Sequence, residues 1–453
     1  MADDGGLRHR VVIVGGGCGG LHAARGLSRA ACDITLLDRR NFHLFQPLLY
    51  QVATGALSPA NIASPLRVIL KRQKNVRVLL GEVTGFDLAA KTVQLGDGAA
   101  VPFDTLVVAA GATHTYFGHD EWAALAPGLK SLEDATEIRR RVLSAFERAE
   151  REPDPKARRR MLTFVVVGGG PTGVEMAGSI IELASQTMRN DFHAIDPRTA
   201  RVVIAEGQSR VLGGFDPKLS AKAKATLETM GVEVRLDCHV TDIGPTHVEI
   251  KPDTEGEPPT TIESETVIWA AGVKASALGK LVAVAAGGPP TDRAGRVMVN
   301  PDCTVGPRAD VFVIGDLASL KGADGKPLPG VAPTAMQQGD YVAGVIARRL
   351  KGETGAPPPF KYNDKGSMAT IGRAKAVAET HGFKLSGFVA WLAWLFIHIL
   401  YLARFENRIL VLWQWFFNYV TRGRAARLIT GENAYHPHDP VRGMPTGEGV
   451  VKA

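Results

Sequence analysis

The chain has 453 residues, of which 45% are hydrophobic and 50 are glycine. This length is enough for about two or three domains with sizeable cores, and the glycine content is typical of a turn-rich α/β protein. The net charge of +7 at pH 7 comes without a long basic run interleaved with aromatic residues, which argues against nucleic-acid binding and favours an anionic membrane surface.

The four cysteines, Cys18, Cys32, Cys238 and Cys303, are scattered along the chain. They form no C-x-x-C or C-x₄-C pattern, which argues against a redox-active disulfide, a zinc site or an iron–sulfur cluster. Scattered cysteines are typical of a reducing compartment. The histidines form no H-E-x-x-H pattern, so no metal site is expected. The N-terminal stretch MADDGGLRHR resembles neither a signal peptide nor a transit peptide.

The first glycine-rich turn follows the apolar stretch VVIV and places G-x-G-x-x-G on Gly15, Gly17 and Gly20. In a strand–turn–helix unit, these glycines permit a tight turn, a close approach to a pyrophosphate, and close packing of the helix on the strand. The next predicted strand ends at Asp38, near the spacing of ~20 residues at which a carboxylate accepts from a ribose hydroxyl. The pattern predicts a dinucleotide site, although a solvated strand end also explains Asp38.

The stretch that follows, NFHLFQPLLYQVATG over residues 41–55, is rich in aromatic and apolar side chains. Core packing explains such a cluster as well as ligand contact does. Further along, FDTLVVAAGATHT predicts a strand that ends in Ala110 and Gly111. Small residues at a strand end let the backbone pass close to a bound cofactor.

The second glycine-rich turn follows the strand FVVV and repeats the pattern on Gly168, Gly170 and Gly173. The next strand, RVVIA, ends beside Glu206, at a spacing longer than the usual ~20 residues, so a longer helix and loop intervene. A carboxylate here repels a 2′-phosphate and favours NADH over NADPH, although Arg210 nearby leaves NADPH open. A solvated strand end is the alternative for Glu206.

The second half repeats other features of the first. Its closing strand, ETVIWAAG, ends in Ala271 and Gly272, as the first half ends in an Ala-Gly pair. Glu175 lies two residues after Gly173, in the first turn of the predicted helix, where a carboxylate complements the helix dipole. Two dinucleotide sites in one chain make chemical sense if electrons pass between them.

Three further features lie beyond the second turn. Asp316 follows the apolar strand VFVI. Pro333 is typical of a first helical turn, so we predict a helix from about residue 334 that carries Gln337 and Gln338 one turn in. Lys375 follows a linker, GETGAPPPF. Ordinary helix surface is the alternative for the glutamines, and a solvated side chain is the alternative for the lysine.

The composition changes near the end of the chain. SGFVAWLAWLFIHILYLA, residues 386–403, has no formal charge, and ILVLWQWFFNYV, residues 409–420, is dense in aromatic residues. The first run just reaches the ~20 residues that span a bilayer, and the second does not. We therefore predict two helices that lie in the membrane interface, with aromatic rings at the headgroups and arginines facing anionic lipid. The residues expected at the headgroups are Trp391, Trp394, Arg422, Arg424 and Arg427.

Two nucleotide turns, two Ala-Gly strand ends and a late Gly-Asp after a strand together resemble the flavoproteins with two dinucleotide-binding domains. Within that superfamily, the chain is similar to the type II (non-proton-pumping) NADH:quinone oxidoreductases. The closer match is carried by NFHLFQPLLYQVATG, GGGPTGVEMAG, PGVAPTAMQQGDYVA and IGRAKAVAE. One departure is Pro333, which stands where many members carry a glutamine, so the polar lining of the acceptor pocket differs.

The resemblance implies an α/β fold with two Rossmann-like nucleotide-binding domains and a C-terminal membrane-anchoring helical region. FAD binds residues 1–115 and 276–350, NADH binds residues 116–275, and residues 351–453 carry the amphipathic helices. The implied FAD-binding residues are Gly15, Gly17, Gly20, Asp38, Gln46, Ala110, Gly111, Asp316, Ala335 and Met336. The implied NADH-binding residues are Gly168, Gly170, Gly173, Glu206, Ala271 and Gly272.

The resemblance also implies the residues that act in the reaction. Asp316 hydrogen-bonds the ribityl chain of FAD, and Glu175 lies near nicotinamide and flavin, where it orders the complex or relays a proton. Gln337 and Gln338 hydrogen-bond a quinone carbonyl, and Lys375 supplies a counter-charge near the flavin or the quinone. A purely structural role stays the alternative for Glu175.

The implied reaction is NADH + H⁺ + quinone → NAD⁺ + quinol, without proton pumping, at the cytoplasmic face of the cell membrane. Ubiquinone or menaquinone is the acceptor, and the protein is a homodimer. A sulfide:quinone oxidoreductase needs a cysteine pair near the flavin, and Cys303 has no evident partner. Other flavin-dependent NAD(P)H reductases, acting on ferredoxin or disulfides, are disfavoured by the apolar C-terminal tail and by the missing cysteine pair. A membrane-associated flavoprotein with a regulatory role stays open and would turn over slowly.

Overall fold

The computed structural model describes residues 8–322, 325–380 and 382–431. The predicted domains extend outside these residues at 1–7 and 432–453, and most of the stretch MADDGGLRHR also lies outside them. Within the described part, strands and helices alternate along most of the chain. The predicted α/β class with Rossmann-like domains is confirmed.

The bounds of the regular elements follow in chain order. The strands are β1 His9–Val14, β2 Cys32–Asp38, β3 Phe42–Leu44, β4 Ala63–Pro65, β5 Val76–Leu80, β6 Val83–Asp87, β7 Thr92–Leu95, β8 Ala100–Pro102, β9 Thr105–Val108, β10 Ala112–His114, β11 Thr163–Val167, β12 Arg201–Ala205, β13 Val232–Arg235, β14 Cys238–Ile243, β15 His247–Pro252, β16 Thr260–Glu263, β17 Thr266–Trp269, β18 Val273–Ala275, β19 Val297–Met298, β20 Thr304–Val305, β21 Arg308–Val313, β22 Ala318–Ser319, β23 Ser367–Gly372, β24 Lys375–Thr380 and β25 Phe383–Gly387. The α-helices are α1 Cys18–Gly26, α2 Leu49–Ala53, α3 Pro59–Ile62, α4 Leu66–Ile69, α5 Leu132–Arg151, α6 Pro155–Met161, α7 Pro171–Glu182, α8 Pro217–Thr229, α9 Leu278–Ala285, α10 Ala332–Leu350, α11 Phe388–Tyr401 and α12 Phe405–Thr421.

The chain divides into two compact units. Unit 1 comprises Met1–Phe45, Ala63–His114 and Val273–Lys365, and unit 2 comprises Gln46–Ile62, Thr115–Gly272 and Gly366–Ala453. The chain passes between the units close to the predicted boundaries at 115 and 275. Two segments differ from the predicted domains, because the short segment after Phe45 and the C-terminal part of the chain group with unit 2. The cofactor assigned to each domain stays a prediction.

Unit 1 is built on a six-stranded sheet in the order β20-β21-β9-β1-β2-β5. Its neighbouring strands are parallel except for β20 and β21. The central strand β1 has its last four residues buried, as expected for a strand covered on both faces. Two apolar clusters lie on the sheet, one containing Ile13 and the other containing Val12 and Val14. The first glycine turn therefore starts at the carboxyl end of a central strand, where open α/β sheets bind ligands.

In unit 1, helix α1 packs closely against helix α10. A Cβ added at Gly339 would lie 2.3 Å from the carbonyl oxygen of Gly19, and a Cβ added at Gly26 would lie 2.6 Å from Cβ of Ala343. Only glycine permits this approach, so the sequence itself allows the two helices to touch. These contacts place the N-termini of both helices at the same end of the unit.

Unit 2 contains a four-stranded parallel sheet in the order β13-β12-β11-β17. All five residues of β11 are buried, and the second glycine turn starts at the end of this strand. A separate antiparallel sheet, β23-β24-β25, packs against α7. A Cβ added at Gly178 in α7 would lie 1.7 Å from the carbonyl oxygen of Ile371 in β23. Glycine at this position lets the helix and the strand meet.

The two C-terminal helices follow β25 directly. α11 has 14 residues and α12 has 17. Among the described residues, no helix combines the length and the apolar character that crossing a membrane requires. Both helices carry large apolar side chains that are exposed, and we call this set the anchor surface. It comprises Phe388, Val389, Leu392, Phe396 and Leu400 of α11, and Phe405, Ile409, Leu410, Leu412, Trp413, Phe416, Phe417 and Val420 of α12.

Side-chain amides of α12 tie this helix to the segment Gln46–Ile62 of the same unit. Asn407 donates through Nδ2 to the carbonyl oxygen of Asn61 at 3.0 Å. Asn418 donates through Nδ2 to the carbonyl oxygen of Ala56 at 3.1 Å. These two amides thus face the protein and not the anchor surface, whereas Glu406 in the first turn of the same helix is exposed.

The predicted headgroup contacts are wrong for three residues. Arg424 forms an ion pair of 3.6 Å with Glu182, and Arg427 pairs with Asp191. Trp394 is only 2% exposed. The two arginines reach acidic partners inside unit 2, because the segment after α12 folds back onto the protein. Trp394 lies in α11 and packs against Trp415, with ring centroids 5.4 Å apart. Sequence patterning could not distinguish this arrangement from exposure to lipid.

Candidate functional site

The turn between β1 and α1 has the backbone geometry that a dinucleotide needs. Gly15 has φ +103°, and a Cβ added there would lie 2.4 Å from the carbonyl oxygen of Ala109. A Cβ added at Gly20 would lie 1.8 Å from the carbonyl oxygen of Gly15, whereas a Cβ at Gly17 would meet no atom within 4 Å. No side chain caps α1, so a phosphate is the natural partner for its first N–H groups.

Asp38 closes this turn from the neighbouring strand. It accepts from the N–H of Gly16 at 2.6 Å through Oδ2 and from the N–H of Arg40 at 2.7 Å through Oδ1. The carboxylate therefore lies at the carboxyl end of β2, beside the glycine turn. The residues present fit the adenosine part of FAD, with the carboxylate placed to accept from ribose hydroxyls.

The other predicted FAD residues of unit 1 lie around the same turn. The contact between Gly15 and Ala109 brings the end of β9, with Ala110 and Gly111, to the turn. Asp316 lies close enough to Cys18, the first residue of α1, to raise the pKa of its thiol, although burial is the larger cause of the rise to about 11. A Cβ added at Gly315 would lie 3.3 Å from Cβ of Ala335.

α10 begins at Ala332, with Pro333 in its first turn, and no side chain caps it. Ala335 and Met336 lie at this end of the helix. The structure thus brings every predicted FAD residue of unit 1 to one end of the sheet and the two helices. The exception is Gln46, which belongs to unit 2 and donates through Nε2 to the carbonyl oxygen of Lys130 at 3.2 Å.

The two glutamines of α10 have protein partners. Gln338 is 1% exposed and accepts through Oε1 from the N–H of Gly315 at 2.7 Å. Gln337 both donates to and accepts from the backbone of Asn363, with two bonds of 2.9 Å. Gln338 therefore fixes the turn that carries Asp316. A contact of either amide with quinone stays a prediction.

The turn between β11 and α7 repeats the first turn in detail. Gly168 has φ +105°, and a Cβ added there would lie 2.8 Å from the backbone of Ala270 and Ala271. A Cβ added at Gly173 would lie 1.8 Å from the carbonyl oxygen of Gly168, while a Cβ at Gly170 would meet no atom within 4 Å. Because the contacts match residue by residue, the two turns are structural duplicates.

Glu206 takes the position in unit 2 that Asp38 has in unit 1. It accepts from the N–H of Gly169 through Oε2 and from the N–H of Gln208 at 2.8 Å through Oε1. Arg210 donates to the carbonyl oxygen of Gly213 at 2.9 Å, which directs its guanidinium to the protein backbone.

A cavity of about 270 Å³ opens at this turn, with Gly170 and Glu206 in its lining. Sequence reasoning missed other residues that line it, namely Pro171, Gln208, Leu212, Gly213, Gly214, Phe215 and Ser367. Their nearness to the second strand end could have indicated all but Ser367. The other strand end, at Ala271 and Gly272, reaches the turn through the contact with Gly168, and Gly272 has φ +97°.

Glu175 does not lie in the first helical turn, because α7 begins at Pro171 and Glu175 is its fifth residue. The predicted interaction with the helix dipole is therefore wrong. The side chain accepts from the backbone N–H of Thr370 at 3.4 Å, a long bond. Burial raises the pKa of Glu175 to about 8, so the protonated form prevails at neutral pH.

Sequence reasoning missed Thr370, which links Glu175 to a buried polar chain. The hydroxyl groups of Thr370 and Tyr50 share a hydrogen bond of 2.9 Å. Gln51 donates through Nε2 to Oη of Tyr50 at 3.0 Å. Burial raises the pKa of the Tyr50 hydroxyl, and the nearby Glu175 adds to the rise. No local signal marks Thr370, since its partner lies 195 residues away in sequence.

Lys375 lies at the start of β24, on the same sheet as Thr370. Its charge acts on Glu182, whose pKa is raised by burial and held back by Arg424 and, less strongly, by Lys375. Lys375 also lines a cavity with residues of α8. Among the described residues, no group of three or more His, Cys, Asp or Glu side chains is arranged to hold a metal ion.

Two duplicated dinucleotide turns define the class of this protein. A family model described as pyridine nucleotide-disulphide oxidoreductase matches residues 9–339, and a second, described as NDH2 C-terminal domain, matches residues 365–424. The chain belongs to the type II NADH:quinone oxidoreductase family.

Individual relatives support this membership. The type II NADH:quinone oxidoreductase NdhA of Mycobacterium tuberculosis is 49% identical over 95% of this chain and 91% of its own length. The type II NADH:quinone oxidoreductase of Staphylococcus haemolyticus is 29% identical over 85% of this chain and 92% of its own. The structure of NDH2 from Plasmodium falciparum in complex with NADH matches with a TM-score of 0.83 at 20% identity, covering 94% of this chain and 100% of that one, which shows a shared fold.

These findings confirm several predictions from the sequence. The resemblance to the family is confirmed, as are the function as an NADH:quinone oxidoreductase, the enzyme class, FAD as the cofactor and NADH as the substrate. The role of each site residue stays a prediction.

Proposed function

We propose that the protein oxidises NADH at unit 2 and passes the electrons through FAD at unit 1 to a membrane quinone, without pumping protons. The observation that carries this proposal is the duplication of one turn geometry, in which Asp38 and Glu206 accept from the N–H of Gly16 and Gly169. A single chain with two such turns binds two dinucleotides.

The residues of unit 1 hold FAD by backbone and carboxylate contacts. The open space at Gly17 and the uncapped start of α1 receive the pyrophosphate, and Asp38 accepts from the ribose. Asp316 accepts from the ribityl chain, and the uncapped N-terminus of α10 favours negative charge on the ring. FAD, when bound, supplies hydride acceptance and two-electron transfer.

The residues of unit 2 hold NADH in the same way and select it over NADPH. Gly170 leaves room for the pyrophosphate, and Glu206 accepts from the ribose hydroxyls. The negative charge of Glu206 repels a 2′-phosphate, and Arg210 is directed to the carbonyl oxygen of Gly213, so it does not compensate. We therefore propose NADH as the preferred donor.

Glu175 holds a proton at neutral pH, because burial raises its pKa to about 8. The hydrogen bond that it accepts from the backbone N–H of Thr370 is long, at 3.4 Å, so this contact holds the carboxyl group weakly. A neutral acid of this kind is suited to proton transfer near the working pH. We propose that it delivers the proton that quinol formation consumes, with Gln337 and Gln338 acting on the quinone.

The anchor surface supports a peripheral association with the membrane. Its aromatic and aliphatic side chains are exposed on two adjacent helices, which is typical of interfacial helices. We propose that this surface lies in anionic lipid at the cytoplasmic face of the cell membrane, where a lipid-soluble quinone is available. The homodimer stays a prediction, and sedimentation of the detergent-solubilised protein tests it.

The cysteines argue against sulfide as the donor. The four cysteines are free thiols, and burial raises the pKa of each. A thiol must ionise to attack a sulfur atom. A regulatory flavoprotein with slow turnover is the second alternative. The turnover rate with NADH and quinone distinguishes it from a dehydrogenase.

The test is an anaerobic titration of the purified flavoprotein with NADH, followed by turnover with a short-chain quinone. We expect flavin reduction by NADH and one quinol formed for each NADH consumed. Loss of NADH absorbance without formation of quinol would show that quinone is not the electron acceptor. A colourless protein that does not take up FAD would refute the proposal as a whole.

A further inference from the structure

A second cavity in unit 2, of about 400 Å³, lies between α8 and the sheet β23-β24-β25. Its polar lining comes from Lys222, Thr226 and Thr229 of α8, Lys375 of β24 and Ser386 of β25. Among the described residues that line it, none is acidic. The hydroxyl groups of Thr226 and Thr229 donate to the carbonyl oxygens of Lys222 and Ala225, each at 2.7 Å. The two lysines and the hydroxyl group of Ser386 therefore form the donor set that this cavity offers to an anion.

The positive charges of the two lysines are not neutralised by ion pairs with described residues. Lys222 donates through Nζ to Oγ of Ser386 at 3.0 Å and forms no ion pair with a described residue. Lys375 forms none either, although its charge acts on Glu182. On the same helix, Lys224 pairs with Glu228 at 2.6 Å. The cavity is therefore lined by two lysines without ion-pair partners among the described residues, whereas the charge of Lys224 on the same helix is neutralised by Glu228.

The position of the cavity shows which anion it can take. Gly387 lies in the lining, and α11 begins at the next residue, Phe388, without a side-chain cap. Phe388, Val389 and Leu392 of the first turns of α11 belong to the anchor surface. A ligand seated between the lysines thus lies beside the start of an exposed apolar helix. An amphiphile with an anionic head and an apolar tail matches both features.

We propose that this cavity binds the phosphate group of an anionic phospholipid, with Lys222, Lys375 and Ser386 as its ligands and the acyl chains along α11. The proposal deepens the proposed function, since it rests on the anchor surface lying in lipid. It gives Lys375 a ligand other than the reacting quinone. Lys222 distinguishes a phospholipid site from a quinone site, because only the phospholipid site uses it.

The test compares Lys222→Ala with Lys224→Ala in flotation of the full-length flavoprotein with vesicles. Each variant removes one positive charge from α8, so diffuse attraction to an anionic surface changes equally. On vesicles of phosphatidylcholine with phosphatidylglycerol, we expect Lys222→Ala to lose about ten-fold or more in affinity, the effect of a lost hydrogen bond between charged groups. Lys224→Ala should lose about five-fold at most, the diffuse effect of one lysine at an anionic surface, and Lys222→Arg should keep the affinity of the wild type.

Several outcomes would overturn the proposal. Equal losses in Lys222→Ala and Lys224→Ala would mean diffuse attraction. An equal loss on pure phosphatidylcholine, in which a choline cation balances the phosphate, would mean that the cavity does not select an anionic phospholipid. Saturable binding of inorganic phosphate to the wild type, abolished by Lys222→Ala, would assign the cavity to free phosphate. We expect no such binding in the absence of acyl chains.

Turnover separates this proposal from the proposed function. In detergent without phospholipid, Lys222→Ala should oxidise NADH with a short-chain quinone as the wild type does. If Lys222→Ala raised KM for the quinone, the cavity would belong to the acceptor, and the lipid assignment would be wrong. If neither protein turned over, the proposed function would fail, whatever the vesicles show.

Discussion

Trp415 of α12 donates through Nε1 to Oε1 of Gln51 of α2 at 2.7 Å, and both side chains are buried. Gln51 in turn donates to Tyr50, which shares a hydrogen bond with Thr370. One C-terminal helix that carries the anchor surface is therefore joined by hydrogen bonds to the buried chain that ends at Glu175. Within unit 2, α12 and the buried acid Glu175 belong to one polar network.

Replacement of Trp415 by Phe tests this connection. The variant keeps an aromatic ring but leaves Oε1 of Gln51 without its donor, and a buried acceptor left unpaired costs about 1–3 kcal/mol. We expect that loss in the free energy of unfolding, measured with denaturant in detergent. Trp413→Phe is the control on the same helix, because Trp413 is 61% exposed, and it should change stability by less than about 0.5 kcal/mol. Equal effects of the two variants would contradict the connection.

Two glycines of the second turn, Gly170 and Gly173, allow the packing of the turn to be tested separately from the binding of NADH. At Gly173, an added methyl group would meet the carbonyl oxygen of Gly168 at 1.8 Å, so Gly173→Ala must displace the turn. A misplacement of about 1 Å can cost 100-fold, and we expect a loss of that order in kcat/KM for NADH, together with a lower melting temperature.

Gly170→Ala should act differently, because its methyl group meets no protein atom within 4 Å. We expect an unchanged melting temperature for the protein without NADH, and weaker NADH binding in a fluorescence titration. Unchanged NADH affinity in this variant would show that the pyrophosphate does not approach Gly170.

The charge of Glu206 sets the preference between the two nicotinamide cofactors. Glu206→Gln keeps the shape of the side chain and removes its negative charge. Like charges brought together cost several kcal/mol, so we expect the ratio of kcat/KM for NADH over NADPH to fall about tenfold or more. Steady-state rates with both cofactors measure this ratio. An unchanged ratio would mean that Glu206 is not at the ribose, and Glu233→Gln, on the next strand, is the control.

The comparison of sequence with structure shows which features are local. The glycine turns were predictable because a positive φ and a forbidden Cβ are properties of a few adjacent residues, as at Gly15 and Gly168. The partner of Glu175 was not predictable, because Thr370 comes from a strand 195 residues away. Arg424 looked like a residue for lipid headgroups, and only the fold shows that it reaches Glu182. The sequence pattern thus specifies the cofactor turns better than the polar interior that surrounds them.

The raised pKa of Glu175 makes the stability of the protein depend on pH in a predictable direction. The usual pKa of a glutamate is 4.5, and burial raises that of Glu175 to about 8. Between these two pH values, the unfolded chain has lost the proton that the native state keeps. Stability therefore falls as pH rises through this window, and it levels off above about pH 8.

Glu175→Gln removes this titration, because an amide stays neutral at every pH. We expect the melting temperature of the variant, relative to the wild type, to rise between pH 5 and pH 9, since only the wild type must ionise a buried acid. Scanning fluorimetry over this range measures the difference. Glu257→Gln, in an exposed loop, should track the wild type throughout. If Glu175→Gln also tracked the wild type, the acid would be ionised at neutral pH and could not hold the proton that quinol formation requires.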